Sequence, residues 1–341
     1  MSAQRDQEIL ITGASGFVAT HVIKSFLEHG YRVRGTVRSE QSAANVRGIF
    51  SQYSDRLSFA IVKDIAQPGA FEEAVKEVDG IIHTASPVKS VVEDQEKDLL
   101  QPAIRGTLEI LQAAQAHSRI TRVVITSSFA AMANLYKGLW PEHTYTEADW
   151  NPETYENART ADGVSAYCAS KAFAEKAAWD FMEKEKPHFS LATICPPMIY
   201  GPVEQCVQDM SKLNTSAADI YRLMNGSITE VPVMGFPAWA DVRDVADAHL
   251  RAFQINEAMN ERFFITSGNY NYQEVCEILR ASFPQIKDKV PHSQIGQTQP
   301  AVYKVSNQKA QSVLGMQFRS LESSIKDTAE SLLTLKKKLE N

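Results

Sequence analysis

The amino-acid sequence predicts an α/β fold, a doubly wound parallel sheet with a smaller C-terminal lobe, and three observations carry that prediction. Over roughly the first 130 residues, short β-branched runs alternate with helical patterns, which is the sequence form of βαβ units. The runs are nearly continuous in apolar residues, as befits strands covered by helices on both faces. Beyond residue 200 the pattern loses its regularity, broken by Pro202, Pro232 and Pro237 and by turn-forming Gly226, Gly235 and Gly268. The chain has 341 residues, 44% hydrophobic and 22% charged, enough for one large core and a second lobe.

The elements follow in order. Residues 9–12 read as the first strand, and the helix after it spans 18–28, with Val18, Val22, Phe26 and Leu27 on one face and Gly30 where a left-handed cap would sit. Further strands are expected at 31–37, 57–62, 80–83 and 123–126. A helix from about Ser165 to Glu185 is bounded by Ser165, a capable N-cap, and Pro187; a sixth strand at 191–195 follows it. Residues 241–253 read as a helix and 262–266 as a strand, so this part of the chain is expected to rejoin the main sheet. Asp241, Arg243 and Asp244 are read as the charged start of that helix.

Lys plus Arg number 35 and Asp plus Glu 41, a net charge of −6, which argues against nucleic-acid or anionic-membrane partners. Residues 1–8 are polar and no window of about 18 residues is free of charge, so a soluble, cytoplasmic protein is expected. Cys168, Cys195, Cys206 and Cys276 form no Cys-x-x-Cys pair and have no histidine at ligand spacing. Neither a metal site nor a disulfide framework is signalled.

Thr12-Gly13-Ala14-Ser15-Gly16-Phe17-Val18-Ala19 stands between the first strand and the first helix. Gly13 permits the tight turn, and Gly16 lets the backbone approach a pyrophosphate that the helix N-terminus favours electrostatically. A dinucleotide site is therefore expected. The second strand ends in Arg38, which can pair with a 2′-phosphate, so NADP(H) is read in preference to NAD(H); Glu40 keeps the NAD(H) reading open. On this basis residues 1–200 and 239–266 are assigned to the dinucleotide-binding domain, and 201–238 with 267–341 to a substrate lobe.

Tyr167 and Lys171, four residues apart on the predicted helix, share a face. A phenol ordinarily titrates near 10, and a neighbouring cation lowers that value toward what a general acid needs. Ser127 and Ser128 follow the fifth strand at the sheet edge where ligands bind, so a hydroxyl there can polarise a carbonyl oxygen. Residues 196–202, Pro-Pro-Met-Ile-Tyr-Gly-Pro, form another wall of that crevice.

Together the stretches 12–19, 35–39, 64–65, 83–87, 126–128, 167–179, 213–216 and 241–246 resemble the extended short-chain dehydrogenase/reductase family. More narrowly they resemble its fungal NADPH-dependent carbonyl reductases of the yeast methylglyoxal/aldehyde reductase type, which are related to plant dihydroflavonol reductases. The resemblance runs along nearly the whole chain. It implies a Rossmann fold in which Ser128, in preference to Ser127, orients the substrate carbonyl, Tyr167 protonates its oxygen, and Lys171 tunes the phenol and bonds the nicotinamide ribose. It further implies that Gly13, Ser15, Gly16, Phe17 and Val18 line the pyrophosphate and Asp64 and Ile65 the adenine. Thr84, Ala85 and Ser86 would meet the middle of the cofactor, and Pro196, Ile199 and Ser216 the nicotinamide. Members often carry a lysine four residues past the arginine, where this chain has Ser42. Val88, Phe129, Met198 and Trp239 match positions bordering the substrate, all apolar, which suits small or aryl ketones, keto esters and aldehydes.

The expected function is reduction of such a carbonyl by NADPH in a monomer or homodimer. A nucleotide-sugar epimerase or dehydratase of the same fold, and a non-catalytic cofactor-sensing module, are the alternatives.

Overall fold

The computed structural model describes residues 7–86, 92–292 and 300–340. Seven parallel strands form the main sheet: β1 Glu8–Thr12, β2 Arg32–Val37, β3 Leu57–Ile61, β4 Gly80–His83, β5 Arg122–Thr126, β6 Ser190–Cys195 and β7 Glu261–Phe264. Their spatial order is β7-β6-β5-β4-β1-β2-β3. The chain thus winds outward from β1 in one direction and then returns through β4 to β7 in the other, which makes the gap between β1 and β4 the switch point where a ligand crevice opens. Ile9, Leu10, Ile11, Ile81, Ile82, Val123 and Val124 are all fully buried, the physical reason the central strands read as unbroken apolar runs.

The helices bearing on the site are α1 Phe17–Glu28, α2 Glu40–Ile49, α3 Gln101–Gln115, α4 Gly163–Glu185 and α5 Val242–Gln254. Helix α4 turns mostly small side chains inward, Ala166, Ala169, Ala172 and Ala178 among them, which lets it lie close on the sheet. Its start corrects one expectation. The N-cap is Asp162, whose Oδ1 accepts from the Val164 and Ser165 amides at 2.9 and 3.1 Å, while the Ser165 hydroxyl donates to Oδ2. A carboxylate takes both amides of the first turn, so the helix begins two residues before Ser165. Strand β7 ends at Phe264, short of Thr266; beyond it the chain turns to the second sheet, where the Ser267 amide and the Thr266 hydroxyl both donate to the Trp239 carbonyl.

After β6 the chain enters a three-stranded sheet of Met198–Tyr200, Ala238–Asp241 and Gly268–Asn269. Helices Thr215–Met224, Tyr272–Ser282 and Leu321–Glu340 surround a separate apolar cluster that includes Ile220, Leu223, Val275, Leu279, Ile325 and Leu332. Asp241 caps α5 through the Arg243 amide and pairs with the Arg243 guanidinium at 2.7 Å, while Ser324 donates to it from the last helix. Asp244 pairs with Arg319. As read from the sequence, these charges are structural: they fasten the C-terminal helix to α5. Among the described residues no helix is long and apolar enough to cross a membrane.

Candidate active site

The switch point gathers residues from strand ends far apart in sequence. Gly13 leaves β1 with φ +69°, and a Cβ there would lie 3.1 Å from the Ala85 Cα beyond β4. Its amide donates to the Thr36 hydroxyl on β2 at 3.1 Å. The Thr12 hydroxyl accepts from the Ala85 amide at 3.0 Å and bonds the His83 Nδ1, and Thr84 donates to the Thr12 carbonyl. These bonds lock the two strand ends together so that only glycine fits between them. Gly16 is the N-cap of α1 and supplies no side-chain acceptor, which leaves the first-turn amides facing outward.

A groove of about 660 Å³ runs across this edge, lined by Gly13, Ser15, Gly16, Arg38, Asp64, Ile65, Thr84, Ala85 and Ser86. Its volume falls within the range of cofactor sites. Bare backbone at Gly13, uncapped amides at the start of α1 and an exposed arginine at the far end form a cradle fitted to a phosphorylated dinucleotide. Arg38 has no ion-pair partner among the described residues. Phe17 and Val18 are half-buried behind the loop. The sequence reading missed Lys63, Lys97 and Arg105, which also line the groove; they carry no local motif and are brought there only by β3, α3 and the turn before it.

Gly13→Ala gives a direct test of this cradle. An alanine would be strained at φ +69° by about 1 to 2 kcal/mol and would press on Ala85, so dinucleotide affinity, measured by titration calorimetry, is expected to fall at least about tenfold.

The reactive groups lie along the same edge. Tyr167 is 44% exposed as a residue. Its hydroxyl end is crowded by protein, which pushes the phenol up to about 12; the Cys168 thiol pushes the same way, and the Ser128 hydroxyl opposes both. Lys171 lies 5.9 Å from the Tyr167 ring centroid and donates to the Ser86 hydroxyl at 2.9 Å. The expected depression of the phenol by Lys171 is not found in this arrangement: burial raises the phenol, and the ammonium is engaged with Ser86 at the cofactor groove. Burial lowers Lys171 to about 8. His83 is held neutral, lowered to about 3 by burial and by the charge of Lys171.

The two adjacent serines part company. The Ser128 hydroxyl accepts from the Ala130 amide at 3.1 Å and lies on the side of Tyr167, where it favours the phenolate. The Ser127 hydroxyl is buried and donates to Glu175 at 2.6 Å. Strand geometry sends neighbouring side chains to opposite faces.

The other expected residues are dispersed. The Pro196 carbonyl accepts from the Phe129 amide at 2.9 Å, Ile199 packs half-buried on the main core, and the buried Ser216 hydroxyl accepts from Asn214 at 2.9 Å. Val88 lies outside the described residues. Met198 is half-buried and pairs in register with Trp239. Phe129 and Trp239 are each only 2% exposed, Phe129 stacked on Phe264 at 5.2 Å. They shape the wall from behind and present little contact surface.

The model of the NAD dependent epimerase/dehydratase family matches residues 9–265. An uncharacterized oxidoreductase of Schizosaccharomyces pombe is 40% identical over 327 residues, covering 95% of this chain and 96% of its own. The NADPH-dependent methylglyoxal reductase GRE2 of Saccharomyces cerevisiae is 35% identical over 343 residues, covering 95% and 98%. The crystal structure of yeast methylglyoxal/isovaleraldehyde reductase Gre2 complexed with NADPH superposes with a TM-score of 0.87 at 34% identity, over 97% of this chain and 99% of that one.

Proposed function

The chain belongs to the NAD dependent epimerase/dehydratase family, and from that premise we propose that it is an NADPH-dependent carbonyl reductase acting on small or aryl ketones, keto esters or aldehydes. The observation that carries this reading is the Lys171 ammonium, which bonds Ser86 in the dinucleotide groove and lies 5.9 Å from the Tyr167 ring, with Ser128 close enough to favour the phenolate. Relatives named as NADPH-dependent methylglyoxal reductases support the cofactor and the substrate class. Gly13, Ser15, Gly16, Phe17 and Val18 would hold the diphosphate, Arg38 the 2′-phosphate, Asp64 and Ile65 the adenine, and Thr84 to Ser86 the middle of the molecule. Pro196, Ile199 and Ser216 would face the nicotinamide, and Met198, backed by Phe129 and Trp239, the substrate. We place it in the cytoplasm as a monomer or homodimer, with residues 201–238 and 267–341 forming the substrate lobe.

When bound, NADPH supplies the hydride that reaches the carbonyl carbon. Ser128 donates to the carbonyl oxygen and holds it against Tyr167. The phenol, protonated at neutral pH, gives its proton to that oxygen as negative charge accumulates. Lys171, bonded to Ser86 and 5.9 Å from the tyrosine ring, places a positive charge beside the ribose site.

The test is NADPH and NADH oxidation against diketones, keto esters, aryl ketones and aldehydes. Turnover with none of them would sink the reading, and purified protein carrying stoichiometric nicotinamide would point to the epimerase or dehydratase chemistry instead.

A pH dependence follows from Lys171. Its ammonium is charged below about 8 and neutral above it, so the reductive kcat/KM should fall as pH rises through that value. Lys171→Arg, which stays charged, should carry whatever activity it retains to higher pH. An unchanged alkaline limb in that variant would assign the limb to another group.

A further inference from the structure

Helix α4 continues past Lys171 to a buried charge that the proposed chemistry does not use. Glu175, one turn beyond Lys171, is 2% exposed. It accepts from the Ser127 hydroxyl at 2.6 Å, the Thr193 hydroxyl on β6 at 2.7 Å and the Trp179 indole at 3.3 Å. Arg262 on β7 donates to it through Nε at 2.7 Å and Nη2 at 3.0 Å. The remaining nitrogen of that guanidinium donates to the carbonyls of Glu147 and Asp149, and the group lies 3.8 Å over the Trp150 ring.

Burying two charges costs desolvation, and such a pair often adds no more stability than apolar residues of the same volume. What this pair does supply is geometry. One carboxylate ties the catalytic helix to β6, to β7 and to the residue preceding Ser128. Ser127, Lys171 and Glu175 also border one cavity of about 20 Å³, with His83 and Thr126, so the carboxylate stands beside Lys171 and the residue preceding Ser128.

We propose that Glu175, with Arg262 as its counter-charge, is a positioning residue: by holding Ser127 it aims the Ser128 hydroxyl, and by anchoring α4 it sets Tyr167 and Lys171 against that hydroxyl. The proposal deepens the reductase reading and rests on it. Reaction rates are sensitive to such placement, a misplacement of about 1 Å costing about 100-fold.

Ser127→Ala removes one donor and leaves the ion pair whole. It should lower kcat about tenfold while the NADPH Kd, read from cofactor fluorescence, stays within about twofold of wild type. Glu175→Gln alone leaves Arg262 unbalanced and destabilises the fold, so the second variant is Glu175→Gln with Arg262→Met, which removes both charges. Its melting temperature should lie near that of the wild type, with kcat down about 10- to 100-fold and the NADPH Kd again unchanged. Adding Ser127→Ala to it should cost little more, because the tether is already gone.

A purely structural pair predicts the opposite: activity would return with the melting temperature, and Ser127→Ala would keep wild-type kcat. Either result overturns the proposal while leaving the reductase reading intact. Failure of the wild-type chain to reduce any carbonyl would instead overturn the reductase reading, and the positioning role with it.

Discussion

Tyr167→Phe is expected to lower kcat by about 10² to 10⁴, the usual contribution of a positioned general acid, and to leave NADPH affinity nearly unchanged. The substitution removes a single oxygen. The ring stays in place and Lys171 keeps its bond to Ser86, so the dinucleotide cradle is untouched. The lost atom is the one that carries the transferable proton, and with the phenol held up to about 12 it is a proton donor throughout the neutral range. Without it the developing alkoxide must take its proton from water, which is not positioned as the phenol is. Initial rates with a saturating ketone, set beside a fluorescence titration of NADPH, check both halves of the statement. If the variant retains more than half of the wild-type kcat, Tyr167 is not the acid.

The second large effect concerns cofactor choice. Arg38 is exposed at the far end of the groove, and a guanidinium can take a 2′-phosphate through charge-assisted, bidentate hydrogen bonds. Hydrogen bonds to charged groups contribute about 1.5 to 3 kcal/mol, or roughly 10- to 150-fold in affinity. Exposure and screening favour the lower end and make the effect weaken as salt rises. Arg38→Ala should therefore raise the KM for NADPH by about one to two decades and change that for NADH little. Ser42 lies one turn into α2 and its amide is bonded to the Ser39 cap, so Ser42→Lys should add a second cation near the same phosphate and tighten NADPH further. Equal losses for both cofactors on removing Arg38 would mean that it supports the adenine or the fold.

The parts of this site that could be read from the chain are those whose cause is local. A strand buried on both faces must be apolar throughout, so β1, β4 and β5 are visible as runs. Gly13 marks a turn that no other residue fits, Gly16 follows it as the helix N-cap, and the four-residue spacing of Tyr167 and Lys171 places them on one face of any helix. Locality also has limits. Both Asp162 and Ser165 can cap α4, and the choice went to the carboxylate that reaches two amides at once.

Which serine faces the tyrosine is a different kind of question. It depends on Glu175, 48 residues on, taking the hydroxyl of Ser127, and on Arg262, 87 residues beyond that, neutralising the carboxylate. Glu175 stood one turn past Lys171 and could have been singled out as an acid on the inward face of the catalytic helix; its partner could not. The burial of Phe129 against Phe264 and the turning of Lys171 toward Ser86 are of the same kind. The sequence by itself determined the strands, the phosphate turn and the tyrosine–lysine pair, since each follows from periodicity or from the conformation of a few adjacent residues. Only the tertiary structure decided the partners of the serines, of the lysine and of the buried charges, because strand order alone brings β5, β6 and β7 together, and a hydrogen bond between distant residues leaves no periodic trace in either.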